Sequence, residues 1–309
     1  MLNLYESLNK FPDFIEEAKK SGTTINKENI DNIVISGMGG SAISGNILKN
    51  YLKEKVSLPI QVNRNYDLPE FVDENTLLFV ISYSGKTEET LSSFEDGKKR
   101  GSKIVFITSN KSLDVQNKIT IPENLLPRAS LPYLFFALLR TLEKSKIIEG
   151  QDKEIEETIK ILKNFDREKA KILADKIKGK IPIVYAPQNY SSISYRWQTE
   201  FNENSKIVAH SNTFTELNHN EIECNYKNGF YVIILEDVGD KSTEQTELSQ
   251  KLIGEKTEIK KIKLKGESKL AKIFYGIYFG DWVSYYLAEL IDVSPEKTEN
   301  IDRIKKGLR

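Results

Sequence analysis

Twice in its first hundred residues the chain runs from a short apolar segment into a loop of glycine and serine, and leaves that loop as a helix. Ile33-Val34-Ile35-Ser36 gives way at once to Gly37-Met38-Gly39-Gly40-Ser41, after which Ile43, Ile47, Leu48, Tyr51 and Leu52 fall on one helical face. A second apolar run, Thr76 to Ser82, meets Tyr83-Ser84-Gly85-Lys86-Thr87 and then a helical stretch toward Gly101. Strands joined through helices in this way build parallel sheets, because a parallel neighbour can be reached only by a crossover.

Three more runs in the first half, Ile60 to Asn63, Lys103 to Thr108 and Lys118 to Ile121, predict further strands. An apolar helix through Leu131, Leu134, Phe135, Leu138, Leu139 and Leu142 then closes a first domain over residues 1–148. Residues 149–179 are charged, without Pro, and carry Leu and Ile at helical spacing, which predicts a solvent-facing helical connector. Strand-like runs return at Ile181 to Tyr185, Tyr231 to Leu235 and Glu258 to Leu264. Helical patterns cover Ser191 to Asn202, Thr246 to Ile253 and Lys269 to Asp292, giving a second domain over 180–309. The expected fold class is α/β, two doubly wound parallel-sheet domains of related plan, the second without the glycine-serine loops.

Composition removes several partner classes. Lys plus Arg and Asp plus Glu both number 45, so there is no basic excess for a nucleic-acid backbone. One cysteine, Cys224, and two histidines, His210 and His219, argue against a disulfide framework or a zinc site. No leader pattern opens the sequence, and the apolar segment Ile273 to Val293 is interrupted by Asp281 and Glu289, so a buried helix is expected there rather than a membrane span. A cytoplasmic protein is the expectation.

The loops carry the chemistry. Glycines allow tight backbone turns, and the free N–H groups of a helix start then face an anion. Three hydroxyls, Ser82, Ser84 and Thr87, around Gly85 at a second helix start are the parts of a phosphomonoester cradle. Helix capping alone would account for one or two of them. The first loop, as Gly37-x-Gly39-x-x-Ala42, also satisfies a dinucleotide fingerprint. The acidic residue expected after the second strand is replaced by Asn63-Arg64, and an arginine there suits a 2′-phosphate. An NADP-dependent oxidoreductase is therefore one alternative.

Ser82-x-Ser84-Gly85-x-Thr87-x-Glu89-Thr90, preceded by the Gly-Gly-Ser loop, resembles the phosphosugar-binding SIS domain. Taken over nearly the whole chain, the sequence is similar to the archaeal-type bifunctional phosphoglucose/phosphomannose isomerase family, which has two SIS domains. The stretches that carry this are Gly37 to Gly45, Ser82 to Thr90, Pro127-Arg128-Ala129, Glu200-Phe201-Asn202-Glu203-Asn204-Ser205-Lys206, Glu216-Leu217-Asn218-His219-Asn220-Glu221 and Ile301-Asp302-Arg303-Ile304-Lys305. The Glu-Asn-Ser-Lys and Leu-Asn-His-Asn-Glu pair is the specific part.

The resemblance implies roles residue by residue. Glu203 matches the base that moves a proton between C1 and C2, and His219 the acid/base that opens the sugar ring. Lys305 matches the partner of His219 in that step, and Arg128 the arginine facing the developing oxyanion. The phosphate is expected on Gly40, Ser41, Ser82, Ser84 and Thr87, with the hydroxyl of Thr298 near the substrate and room for both C2 epimers. Lys86 departs from the Asn usual in the family at that loop position. The substrates implied are hexose 6-phosphates, with no metal and no organic cofactor. A homodimer with its site at the interface is implied, and whether His219 comes from the same chain or from the partner is left open by the sequence.

Spacing alone leaves alternatives open. Glu203 competes with Glu200, Glu216, Glu221 and Glu223, and Lys305 with Lys306. His219 could be structural, and Arg128 could cap the next helix. A different function class, a sugar-phosphate sensor that binds without catalysis, would leave Arg128 and Lys305 without a purpose. No helix-turn-helix module accompanies it.

Overall fold

The computed structural model describes residues 2–226, 229–237 and 244–307, and the chain in it forms two α/β units, Met1–Ile159 and Lys160–Arg309. The first contains α1 (Leu4–Asn9), α2 (Phe11–Ala18), β1 (Asn32–Gly37), α3 (Gly40–Leu52), β2 (Ile60–Asn63), β3 (Thr76–Ile81), α4 (Glu88–Lys99), β4 (Lys103–Thr108), β5 (Lys118–Thr120) and α5 (Leu131–Lys144). Helix α6 (Asp152–Lys163) carries the chain onward. The second unit contains α7 (Arg167–Ile177), β6 (Ile181–Ala186), α8 (Ser191–Glu203), β7 (His210–Thr213), α9 (Phe214–Leu217), β8 (Phe230–Glu236), α10 (Glu244–Gly254), β9 (Ile259–Lys263), α11 (Lys269–Leu290) and α12 (Glu299–Gly307).

Every sheet pairing is parallel, in the order β2-β1-β3-β4-β5 in the first unit and β7-β6-β8-β9 in the second. Strand for strand, the second order repeats the first four positions of the first, so the related plan expected for the halves is present. Central strands are buried along their length, as in Thr76–Ile81, because helices cover both faces of such a sheet. The edge strand β9 reads Ile-Lys-Lys-Ile-Lys, and its three lysines are exposed and discourage a further strand from pairing. Strand β7, His-Ser-Asn-Thr, has no apolar residue, and no periodicity announced it.

The 149–179 stretch is helical, as α6 and α7, and each helix buries several apolar positions, among them Ile155, Leu162, Leu173 and Ile177, while Ile172 is exposed. Helix α7 packs along α11 and is an integral helix of the second unit. Helix α11 is buried through 16 of its 22 residues. Among the described residues, no helix is long and apolar enough to cross a membrane.

Trp197 on α8 lies flat against α11, donating its indole N–H to the Gly276 carbonyl at 2.8 Å and stacking on Phe279. Gly280 makes room for it, because a Cβ there would sit 2.4 Å from the indole nitrogen. The ring is fully buried and has nowhere to move. Gly280→Ala is expected to lose about 1–3 kcal/mol by overpacking, against a helix-propensity gain of only about 1 kcal/mol. Chemical denaturation should show a lower midpoint; an unchanged or higher one would contradict this packing.

Candidate active site

Within the first unit, β1 and β3 are neighbours, and their register pairs Gly37 with Ile81, the last residue of each strand. Both glycine-serine loops therefore leave the sheet side by side at the carboxyl ends of the strands, where ligands bind in open α/β sheets. Gly39 adopts φ +50°, and α3 begins at the next residue with its free amides directed at the loop. Gly40 lies against the 3-10 turn Pro127–Ser130, and a Cβ on it would stand 3.4 Å from the Arg128 Cα. Arg128 is thus beside the first loop, and its side chain is buried.

The second loop is braced from β4. Thr108 and Ser109 direct their hydroxyls to the Tyr83 carbonyl at 3.3 and 2.7 Å. Gly85 takes φ +67°, and a Cβ there would meet that of Asn110 at 2.9 Å, so no larger residue fits. The buried Ser82 hydroxyl donates to Thr87 Oγ1 at 3.0 Å and accepts from the Thr87 amide at 3.4 Å. Thr87 is the N-cap of α4 but makes no side-chain cap bond, so its hydroxyl turns into the loop rather than down the helix. Ser84 is exposed and accepts from the Lys86 amide at 3.2 Å, and Lys86 faces water. Gly40, Ser41, Ser82, Ser84, Thr87 and Arg128 all belong to this one unit, the first two and Arg128 around one loop and the rest in the other.

In the second unit, Glu203 is the last residue of α8. The end of that helix is fastened to α11 by Asn204, which donates to Ser284 Oγ at 2.9 Å, and by Ser205, which donates to the Ser284 carbonyl at 2.7 Å. Beneath it lies a fully buried ion cluster: Arg196 bonds Asp281 at 2.9 and 3.1 Å and reaches Glu200 at 3.1 Å. Burial acts to lower the Arg196 pKa, but the two carboxylates override it and hold the side chain cationic, a charge that Glu203 also feels. Lys206 donates to the backbone carbonyls of both Glu203 and Lys297, which brings Thr298 next to the α8 terminus. Lys305 is exposed on α12, two turns beyond Thr298, and the side chain of Lys306 lies outside the described residues. His219 is exposed on the crossover between β7 and β8, and no described contact joins it to Glu203 or to α12. Among the described residues, no three His, Cys, Asp or Glu side chains gather as a metal site.

Known proteins match both units. A SIS domain model matches residues 25–122, and a model of the bacterial phospho-glucose isomerase C-terminal SIS domain matches 166–308. A bifunctional phosphoglucose/phosphomannose isomerase of Caldicellulosiruptor bescii is 38% identical over 99% of this chain and 98% of its own. The chain belongs to that isomerase family. A second relative of the same name, from Thermoplasma acidophilum, is 39% identical over 90% of this chain and 89% of its own. The solved C-terminal domain of glucosamine-fructose-6-phosphate aminotransferase from Francisella tularensis shares the fold, with a TM-score of 0.76 at 15% identity over 95% and 98% of the two chains. Within the family frame, the first model spans both glycine-serine loops, the second spans Glu203, His219, Thr298 and Lys305, and Arg128 falls between them.

Sequence reasoning assigned no role of its own to Glu221, whose carboxylate holds three side chains together in the second unit. Glu221 accepts from His210 Nε2 at 2.8 Å, from the Tyr185 hydroxyl at 2.8 Å, and from Asn212. In the sequence it stood only as the last residue of the Glu216 to Glu221 stretch and as one of the acids that compete with Glu203. Burial acts to raise the Glu221 carboxyl, but the bonds from His210, Asn212 and Tyr185 outweigh it and hold the carboxyl below its ordinary 4.5. The same bond holds the His210 imidazole above its ordinary 6.5, against a smaller effect of burial. The depressed acid contributes stability that is present above pH 4.5 and lost as pH falls through its folded value. The raised base contributes stability that is present below pH 6.5 and lost as pH rises through its folded value. The melting-temperature gap between wild type and Glu221→Gln is expected to be widest between pH 4.5 and 6.5 and to narrow on both sides. A gap that is flat with pH would contradict the ion pair; half-exposure of His210 keeps the effect small.

Proposed function

We propose that this protein interconverts glucose 6-phosphate and mannose 6-phosphate with fructose 6-phosphate, in the cytoplasm, through a cis-enediolate and without a metal. The observation that carries the reading is the pairing of Gly37 with Ile81, which sets two hydroxyl- and amide-rich loops side by side in a family of sugar-phosphate isomerases. Gly40, Ser41, Ser82, Ser84 and Thr87 hold the phosphate. His219, with Lys305, moves the proton that opens the ring at O5. Glu203 then takes a proton from C2 of the aldose and delivers one to C1, the proton exchanging with solvent while the carboxyl holds it, and the O2 hydroxyl proton passes to O1, giving the ketose, while Arg128 balances the negative charge that forms on the enediolate oxygens. C2 is planar in that intermediate, so the face it presents to Glu203 decides which epimer forms in the reverse direction. Thr298, beside the α8 terminus, leaves room for either C2 hydroxyl.

Fructose 6-phosphate incubated with the purified protein and a chelator should yield both glucose 6-phosphate and mannose 6-phosphate. Glu203→Gln should lower both rates by about 10²–10⁴-fold. Glucose 6-phosphate alone would remove the dual specificity, and binding without either product would leave a sensor.

The reading includes a homodimer in which the second copy of the chain supplies His219. Glu203→Gln and His219→Ala, each inactive alone, should then regain about a quarter of wild-type activity when unfolded and refolded together, since mixed dimers rebuild one intact site. No recovery would mean that one chain supplies both groups.

A further inference from the structure

His219 sits on backbone that regular structure supports poorly. The crossover from β7 to β8 contains one short helical turn, Phe214–Leu217, and one 3-10 turn, Glu221–Glu223, with His219 between them. A side chain on such a stretch is placed by its anchors, and here they flank it closely. Asn218 accepts from the Ser249 hydroxyl at 2.5 Å, Asn220 donates to Glu216 at 2.7 Å, and Leu217 is fully buried. The strongest anchor is Glu221. One carboxylate oxygen receives His210 and Asn212 from β7, and the other receives Tyr185 from β6. Its backbone carbonyl accepts the Tyr226 hydroxyl at 2.8 Å, and its amide donates to Asn220 Oδ1 at 2.6 Å. Burial, with Tyr226 and Glu221 adding to it, raises the Tyr185 phenol far above its ordinary value, so that side chain stays a donor. A carboxylate gripped by three donors from two adjacent strands, two residues from an exposed histidine, has more support than folding a surface loop requires.

We propose that Glu221 is a positioning residue for His219, the His210, Asn212 and Tyr185 grip on its carboxylate fixing the crossover so that the imidazole meets the ring oxygen of the sugar phosphate. The proposal rests on the ring-opening role assigned to His219. It follows that Glu221 matters for the step in which the ring opens and not for the proton transfer at C1 and C2. A displaced acid/base costs rate steeply even when its chemistry is intact.

The test uses two substrates, fructose 6-phosphate and 5-deoxyfructose 6-phosphate, which lacks O5 and so cannot close the ring. Glu221→Gln is expected to lower kcat on fructose 6-phosphate by about tenfold or more, and to leave kcat on the 5-deoxy sugar within about twofold of wild type. Tyr185→Phe, which keeps the ring packing and removes one of the three donors, should show the same split at smaller size. Equal loss on both substrates in these variants would make Glu221 a structural residue, and no loss on either would make it dispensable; each result overturns the proposal. A His219→Ala protein as active as wild type on fructose 6-phosphate overturns the ring-opening role and the proposal with it. A wild type inactive on both sugars overturns the isomerase reading itself.

Discussion

The parallel pairing of β1 with β3 is the constraint on which the rest of the first unit depends. Its register runs from Asn32 and Thr76 to Gly37 and Ile81, so the two strands end level and their loops emerge together. A slip of the register would carry one loop away from the other and turn every buried side chain of the strand to the opposite face. Both strands are buried on both faces, so the close packing of side chains of fixed size, and not a polar face turned to water, holds the register. Sheet pairing therefore does the positioning, and the loops need only small residues and hydroxyls. Arg128 joins them because its 3-10 turn closes over Gly40.

The second unit uses the same strand order for another purpose. Where the first has glycine and serine after its first strand, the second has Pro187-Gln188-Asn189-Tyr190, and α8 brings a carboxylate at its far end instead. A buried cation, Arg196, shared by Asp281 and Glu200 ties α8 to α11, and removing Arg196 would leave two carboxylates unpaired in the interior, a loss of about 3–5 kcal/mol. Glu203 thus stands on a platform fixed by ion pairs, and His219 on a loop fixed by Glu221. The first unit carries the glycine-serine loops and Arg128, and the second carries Glu203 and His219.

Much of this was legible in the residues. Strands such as Ile60–Asn63 and Lys103–Thr108 follow from short β-branched runs between turn signals, and the loops from glycine next to serine. What escaped was structure held by tertiary contact. Strand β7 is polar throughout and is a strand only because β6 pairs with it. Helices α6 and α7 look solvated because their charges outnumber their apolar positions, yet Ile155 and Leu173 are buried. Glu203 could not be told from its neighbouring acids by spacing, and Glu221 gained meaning only when Tyr185 and His210, 36 and 11 residues earlier, were found on its carboxylate.

The central claim, that a carboxylate passes a proton through an enediolate, is tested most directly by running the reaction in deuterium oxide and reading the sugars by proton NMR. The account predicts deuterium at C2 of the aldose phosphates formed from fructose 6-phosphate and at C1 of the recovered ketose, with incorporation abolished in Glu203→Gln. Aldose products that form at full rate with no solvent deuterium at C2 would mean that hydrogen moves directly between the carbons, and would contradict it.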